Sequence, residues 1–307
     1  MIRDLTLEFA RSNKYPSHEE WSLISKLTNL RSLVLLGSRI PSGVNQANLK
    51  PLEALFQRVT KLRLVECTFR NSSSFLSFIA TFPNIQSLCI NDVRLIGTNG
   101  LHDIPSNAPR PMLRELKVYE PTTEDKAARF LELCGSWLSM LSIDVLRTVE
   151  LHVQINYMDP GVSLQPVLKA LGPYLHRLTI DCQTPISDNV EELPAFVYCT
   201  SLRTLQLDQR THNLSLFLAI LKSIPASTIS HMTVLFTPIT YFLTNNLLFS
   251  NIDKTLSQMR FRDIQTLKFV LYGYDTLTPR DIQSLYEKLP SSATKGLIQF
   301  EKLNEWW

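Results

Sequence analysis

Histidines and carboxylates at ligand spacing are where hydrolytic or metal chemistry would show first. His18-Glu19-Glu20 opens like a zinc-protease helix, in which two histidines one turn apart hold the metal and the glutamate serves as base, but residue 22 is Ser. His102, His152, His176, His212 and His231 are scattered along the chain, no two of them at helical ligand spacing. They read as lone structural histidines, and no metal is expected. Neither the nucleophile-elbow pattern G-x-S-x-G nor the phosphate loop G-x-x-x-x-G-K occurs. The five cysteines, Cys67, Cys89, Cys134, Cys182 and Cys199, are odd in number and contain no C-x-x-C pair, which argues against a disulfide framework or a zinc site. The chain is therefore expected to be no enzyme and to use no cofactor.

Composition points the same way. Of 307 residues, 44% are hydrophobic and 19% charged, enough to bury a large core and too apolar for a disordered chain. Lys+Arg 31 against Asp+Glu 28 leaves +3, far from a phosphate-binding footprint, so neither nucleic acid nor a membrane surface is expected as partner. Nine glycines leave little material for glycine-rich phosphate loops. No run of 18 apolar residues exists, and Arg3 and Asp4 stand where a secretory signal would build its apolar stretch. A cytoplasmic or nuclear protein is expected. The glycosylation patterns at Asn71 and Asn213 then read as chance matches.

With no catalytic constellation, the elements that organise the chain carry the reading. Apolar residues at i, i+3 and i+5 recur ten times: Ile2-Leu5-Leu7, Leu30-Leu33-Leu35, Val59-Leu62-Leu64, Ile85-Leu88-Ile90 and Leu113-Leu116-Val118, then Leu146-Val149-Leu151, Leu175-Leu178-Ile180, Leu202-Leu205-Leu207, Ile229-Met232-Val234 and Ile264-Leu267-Phe269. The mean period is near 29, that of long leucine-rich repeats. Positions i+3 and i+5 alternate with polar neighbours, so both enter the core from one short strand. Helical patterns lie between, at Trp21-Ile24-Leu27, Ala127-Phe130-Leu131-Cys134, Leu214-Phe217-Leu218-Leu221 and Ile282-Leu285-Tyr286-Leu289. Thr278 is a candidate N-cap with Pro279 at the first helical position, and Gly172-Pro173 ends the pattern Leu164-Val167-Leu168-Leu171.

The predicted fold is an α/β leucine-rich-repeat solenoid of about ten repeats, with a curved parallel sheet on the concave face and helices on the convex face, forming one domain over 1–307. The segment Gly97 to Pro111, with three prolines and two glycines, predicts an irregular loop near 97–111, and Thr237 to Asn251, in the long gap after the Ile229 copy, another near 237–251. Residues 291–307 read as a C-terminal cap, in which Lys295 to Glu301 adds a last strand and Trp306-Trp307 covers the end. At the other end the first repeat begins at Ile2, which leaves no cap and predicts an element upstream. Cys67, three residues after Leu64, occupies the place where such repeats set Asn or Cys against the inner turn.

Side chains alternating with the leucines face outward from the concave sheet. Lys61, Arg63 and Lys117 make a basic zone with Val34, Leu36, Val65 and Tyr119, and Glu150, His152, Asp181 and Asp208 follow in an acidic stretch. This bipolar face is the predicted partner-binding site for another protein, with Tyr119 and Arg63 as anchors.

Four segments carry a family likeness: FIATFPNIQSLCINDV (Phe78 to Val93), ALGPYLHRLTIDC (Ala170 to Cys182), CTSLRTLQLD (Cys199 to Asp208), and LSQMRFRDIQTLKFVLYG with YEKLPSSATKGLIQFE near the end. Here the chain resembles the leucine-rich-repeat region of fungal F-box-like proteins. The resemblance implies the substrate-recognition part of a cullin-type ubiquitin ligase subunit, whose F-box grips a Skp-type adaptor. No F-box precedes Ile2, so adaptor binding falls on no residue here and depends on an F-box upstream. Two other readings are a stand-alone scaffold or inhibitor without ligase connection, and a GTPase-activating protein using an arginine such as Arg39, Arg70, Arg94 or Arg210. A pI near 8.5 fits an acidic, cysteine-rich inhibitor poorly.

Overall fold

A computed structural model describes residues 2–8, 26–27, 29–37, 56–96, 112–119, 146–155, 160–182, 194–209, 214–225, 229–236, 246–258, 261–272 and 278–303. They fall into two compact units, Met1–Val149 and Glu150–Trp307. The predicted loop over 97–111, the helical patterns at Ala127 and at Trp21-Ile24, and Trp306-Trp307 lie outside the described residues.

In the first unit the repeat copies become parallel strands Asp4–Glu8 (β1), Ser32–Leu36 (β2) and Lys61–Val65 (β3). The short strand Thr68–Phe69 (β4) and helix Ser72–Ala80 (α1) follow, then Ser87–Asn91 (β5), Arg94–Leu95 (β6) and Glu115–Tyr119 (β7). β1, β2, β3, β5 and β7 pair in chain order, and β4 pairs with β6 in a small second sheet. The repeats of β2, β3 and β5 turn through a residue in the left-handed region, Gly37 (φ 63°), Glu66 (φ 53°) and Asp92 (φ 48°). The N–H of each donates to the next strand's last carbonyl, Val65, Asn91 and Tyr119 in turn, at 2.9 to 3.1 Å. One turn geometry thus fixes the register of successive repeats. The predicted role of Cys67 holds: it is fully buried, and its thiol donates to the Leu35 and Val65 carbonyls at 3.5 and 3.6 Å.

Asn71 caps α1 by accepting from the Ser74 N–H at 2.9 Å while the Ser74 hydroxyl accepts from the Asn71 N–H, a reciprocal capping box. The helix buries Phe75, Leu76, Phe78 and Ile79. Phe75 meets Phe69 edge-on at 5.2 Å between ring centres, and Phe78 meets Phe82 at 5.3 Å.

Strand Thr148–Ile155 (β8) straddles the division between the units. The second unit continues with helix Pro160–Leu171 (α2) and strand Leu175–Cys182 (β9), then Thr204–Gln209 (β10), helix Leu214–Ser223 (α3) and strand His231–Phe236 (β11). Helix Asn246–Leu256 (α4), strand Thr266–Tyr272 (β12), helices Pro279–Lys288 (α5) and Pro290–Thr294 (α6) and strand Ile298–Leu303 (β13) complete it. β9 through β13 pair in chain order, all parallel. The fold is an α/β leucine-rich-repeat solenoid, and the strand expected from Lys295 to Glu301 is present as β13.

Gly172 does more than end α2. A Cβ there would lie 2.4 Å from the Tyr198 carbonyl oxygen, so only glycine admits the backbone of the 3₁₀ turn Pro194–Tyr198. The Thr278 cap is observed, with its hydroxyl accepting from the Asp281 N–H at 3.2 Å and Pro279 in the first turn. The loop expected over 237–251 is corrected in its second part, because residues 246–251 begin α4. Phe249, Ile252 and Leu256 bury one face of that helix at the spacing i, i+3, i+7, a pattern obscured by the long gap before the next strand. Residues 237–245 lie outside the described residues. From α4, the buried Asp253 carboxylate accepts the Ser291 and Ser292 N–H groups, each at 3.0 Å, and the Ser292 hydroxyl at 2.8 Å, which fastens the start of α6.

The core is the repeat motif itself. In nine of the ten copies all three apolar residues are at most 7% exposed. The first copy differs: Ile2 is 53% exposed, and Leu5 and Leu7 are half-buried at the sheet edge. Among the described residues no helix is long and apolar enough to cross a membrane.

Candidate interaction faces

The strand periodicity that buries the leucines turns the intervening side chains to the opposite side of the sheet. In the first unit this places Lys61 and Arg63 on β3, Cys89 on β5 and Lys117 and Tyr119 on β7. Lys61 and Arg63 are exposed, and Lys117 and Tyr119 half-buried. The register runs Arg63, Cys89, Lys117 across three strands, so Arg63 and Lys117 are two strand spacings apart, about 10 Å.

Glu115, which the sequence reading did not include, sits within this basic zone. It occupies the place on β7 that Lys61 occupies on β3, two residues before the central position, so the same alternation marks it. Its carboxylate accepts the Ser87 hydroxyl at 2.7 Å and lies 3.3 Å from the Lys117 ammonium. The Ser87 hydrogen bond first, then Lys117 and the more distant Lys61, hold this carboxyl below the usual glutamate range. The first unit therefore presents three cations around one fixed anion.

The second unit carries Glu150 and His152 on β8, Asp181 on β9 and Asp208 on β10. Glu150, His152 and Asp208 are half-buried. Asp181 departs from the expected open surface, being only 7% exposed. Its register partner is Asp208, followed by Leu235 and Val270, and the last two are each 4% exposed. The alternation puts these residues on the side away from the leucines, yet that side is closed at this row. Leu235 and Val270, adjacent apolar register partners, shed water together, while Asp208, between Leu235 and the buried Asp181, stays half-buried. Further along, Lys268 on β12 pairs with Glu301 on β13.

Among the described residues no three His, Cys, Asp or Glu side chains are gathered as metal ligands. Burial pushes the Cys199 thiol up to about 12, which keeps it protonated and inert. Of the arginines considered for GTPase activation, Arg94 is clamped on the Asp92 carboxylate, Nη2 to Oδ2 at 2.7 Å and Nε to Oδ1 at 3.2 Å. Arg70 is exposed, and Arg39 and Arg210 lie outside the described residues.

No protein-family model and no curated protein matches the chain. Its fold is shared with the leucine-rich-repeat-containing protein LegL7 of Legionella pneumophila, at a TM-score of 0.52 and 16% identity over 98% of this chain and 91% of that one. An internalin of Listeria monocytogenes, InlF, aligns at a TM-score of 0.34 and 15% identity, covering 93% of this chain and 70% of its own.

Proposed function

We propose that the chain is a protein-recognition module and that it serves as the substrate-recognition part of an F-box-type ubiquitin ligase subunit. One observation carries the first half: Arg63 stands two strands from Lys117 and Tyr119 in fixed register on one sheet, which joins mixed charge with aromatic character. Such a face suits a protein partner, because complementary charge sets orientation and an aromatic-arginine pair supplies anchoring area. Arg63, Lys117 and Tyr119 are its centre in the first unit, with Lys61 at the margin. Glu150, His152 and Asp208 belong to the face of the second unit, and the buried Asp181 does not reach it. The ligase half rests on the resemblance to fungal F-box-like proteins, and binding of a Skp-type adaptor would belong to an F-box elsewhere in the same protein.

The test is affinity capture with the full native protein, followed by quantification of each partner with Arg63→Glu/Lys117→Glu. The expected result is capture of a protein partner together with ubiquitin-ligase components, and about tenfold weaker partner binding by the variant at unchanged melting temperature. Undiminished binding overturns the assignment of the face. A stable partner without ligase components overturns the ligase role and leaves a stand-alone scaffold.

A further inference from the structure

The edge at which the strands of the first unit begin carries a second charged feature, separate from the face above. The residues just ahead of the strands form one hydrogen-bonded row. Arg31 N–H donates to the Arg3 carbonyl at 2.8 Å, Thr60 to Arg31 at 2.9 Å, Gln86 to Thr60 at 2.8 Å, Arg114 to Gln86 at 2.8 Å and Arg147 to Arg114 at 2.9 Å. Four of these six positions are arginine, and all four arginines are exposed. The same step of the repeat, directly after the first apolar residue, places an arginine in each case. The row is therefore built by the fold rather than gathered by a loop.

None of the four guanidinium groups is paired with a carboxylate among the described residues. Glu115, next to Arg114 in sequence, is committed to Ser87 and Lys117. Arg31 Nη1 donates to the Arg58 carbonyl at 3.5 Å, which turns it toward another arginine rather than toward an acid. Asp4, beside Arg3, is the nearest exposed carboxylate in sequence. A row of uncompensated, weakly hydrated guanidinium forks on a fixed backbone is suited to bidentate capture of carboxylates.

Spacing selects the polyanion. Five strand spacings of about 4.8 Å make the row about 24 Å long, with an arginine pair about 4.8 Å apart at each end and about 14 Å between the pairs. Duplex DNA presents one phosphate per ~1.7 Å, far denser than the row can neutralise. An extended peptide with acidic residues at alternate positions presents one carboxylate per ~6.7 Å on one side, so four of them span about 20 Å and reach the arginine pairs at both ends of the row. Thr60 and Gln86, the two other members of the row, are polar and supply hydrogen-bonding side chains where the arginines are interrupted. We infer that the arginine row Arg3, Arg31, Arg114 and Arg147 is a docking edge for an extended acidic segment of a partner protein.

The probe is a fluorescent peptide of alternating Glu and Ser, titrated with the intact chain and followed by anisotropy. Binding is expected to weaken steeply with salt, and Arg114→Glu/Arg147→Glu to weaken it about tenfold or more. The comparison variant Arg262→Glu/Lys295→Glu makes the same change in net charge at exposed positions of the second unit, and is expected to stay within about twofold. Arg114→Lys/Arg147→Lys keeps the charge and removes the fork, and an intermediate loss is expected. Equal loss in the two charge-reversal variants would overturn the inference, since net charge alone would then explain binding. Tighter binding of a labelled DNA duplex than of the peptide, lost in the same Arg114/Arg147 variant, would also overturn it in favour of a nucleic-acid edge. Retention of the wild-type melting temperature separates either outcome from misfolding.

Discussion

The two units use one repeat and one register, yet their outward faces differ. On β3, β5 and β7 the residues opposite the leucine core include exposed cations, and the row Leu36, Val65, Asn91 and Tyr119 is only half-buried. On β9 through β12 the corresponding row is Asp181, Asp208, Leu235 and Val270, and three of the four are at most 7% exposed. Strand periodicity decides which side of the sheet a residue leaves from. It does not decide whether that side meets water. The first unit keeps a surface of charge held by a few hydrogen bonds, while the second folds part of the equivalent surface into its packing.

The strongest way to break the comparison is to show that the leucine side also differs between the units. Leu62 and Leu205 occupy the same place in their repeats and are 2% and 0% exposed. Truncating either to Ala removes buried methyl groups and leaves a cavity between strands and helices, with an expected cost of about 2 to 5 kcal/mol in each case. Urea denaturation of the two variants measures it. A cost near zero for either would mean that its copy does not belong to a packed repeat.

A sharper contrast comes from the outward row. Leu235→Asn puts an amide where the side chain is 4% exposed and is expected to cost about 2 to 3 kcal/mol. Leu36→Asn, at the equivalent place in the first unit, keeps contact with water and is expected to cost about 1 kcal/mol or less. Equal costs would erase the distinction between an open and a closed face.

Much of the fold was legible because the signal is repeated. Each copy constrains three residues, and nine copies are buried throughout, so no single ambiguous segment could mislead the assignment. Capping was legible for the same kind of reason: Thr278 satisfies a donor that any helix start leaves open, and Pro279 removes another. Helix α4 was missed because the expected repeat length competed with its own apolar spacing at Phe249, Ile252 and Leu256. Gly172 was read as a helix terminus, and its tight approach to the Tyr198 carbonyl is a tertiary fact with no local signature. For the candidate faces, direction was legible and cover was not. Asp181, Leu235 and Val270 alternate like exposed residues, and what removes them from water depends on neighbours distant in sequence. Glu115 was legible in principle, since it shares the register position of Lys61, but its meaning depends on Ser87 one strand away.

That last pair supplies the finest test of the open face. Glu115 is 38% exposed at its side chain, so its ion pair with Lys117 falls in the weak class of surface pairs, and the Ser87 hydroxyl is the larger reason for its lowered pKa. A carboxyl lowered in the folded state contributes stability above its unfolded pKa, and that contribution is lost as pH falls through the lowered folded value. Ser87→Ala removes the first cause and leaves Lys117 and Lys61 in place. The Glu115 pKa is then expected to move up toward the ordinary glutamate range without reaching it, so that its contribution to stability is smaller and its acid loss is complete at higher pH. Carboxyl chemical shifts followed by NMR across the acid range report this directly. No movement in Ser87→Ala, with a full return in Lys117→Gln, would make the ammonium the dominant partner. The charge centre of the face would then be a mobile surface ion pair rather than an anion fixed across two strands, and the rigidity that separates the open face from an ordinary solvated surface would be lost.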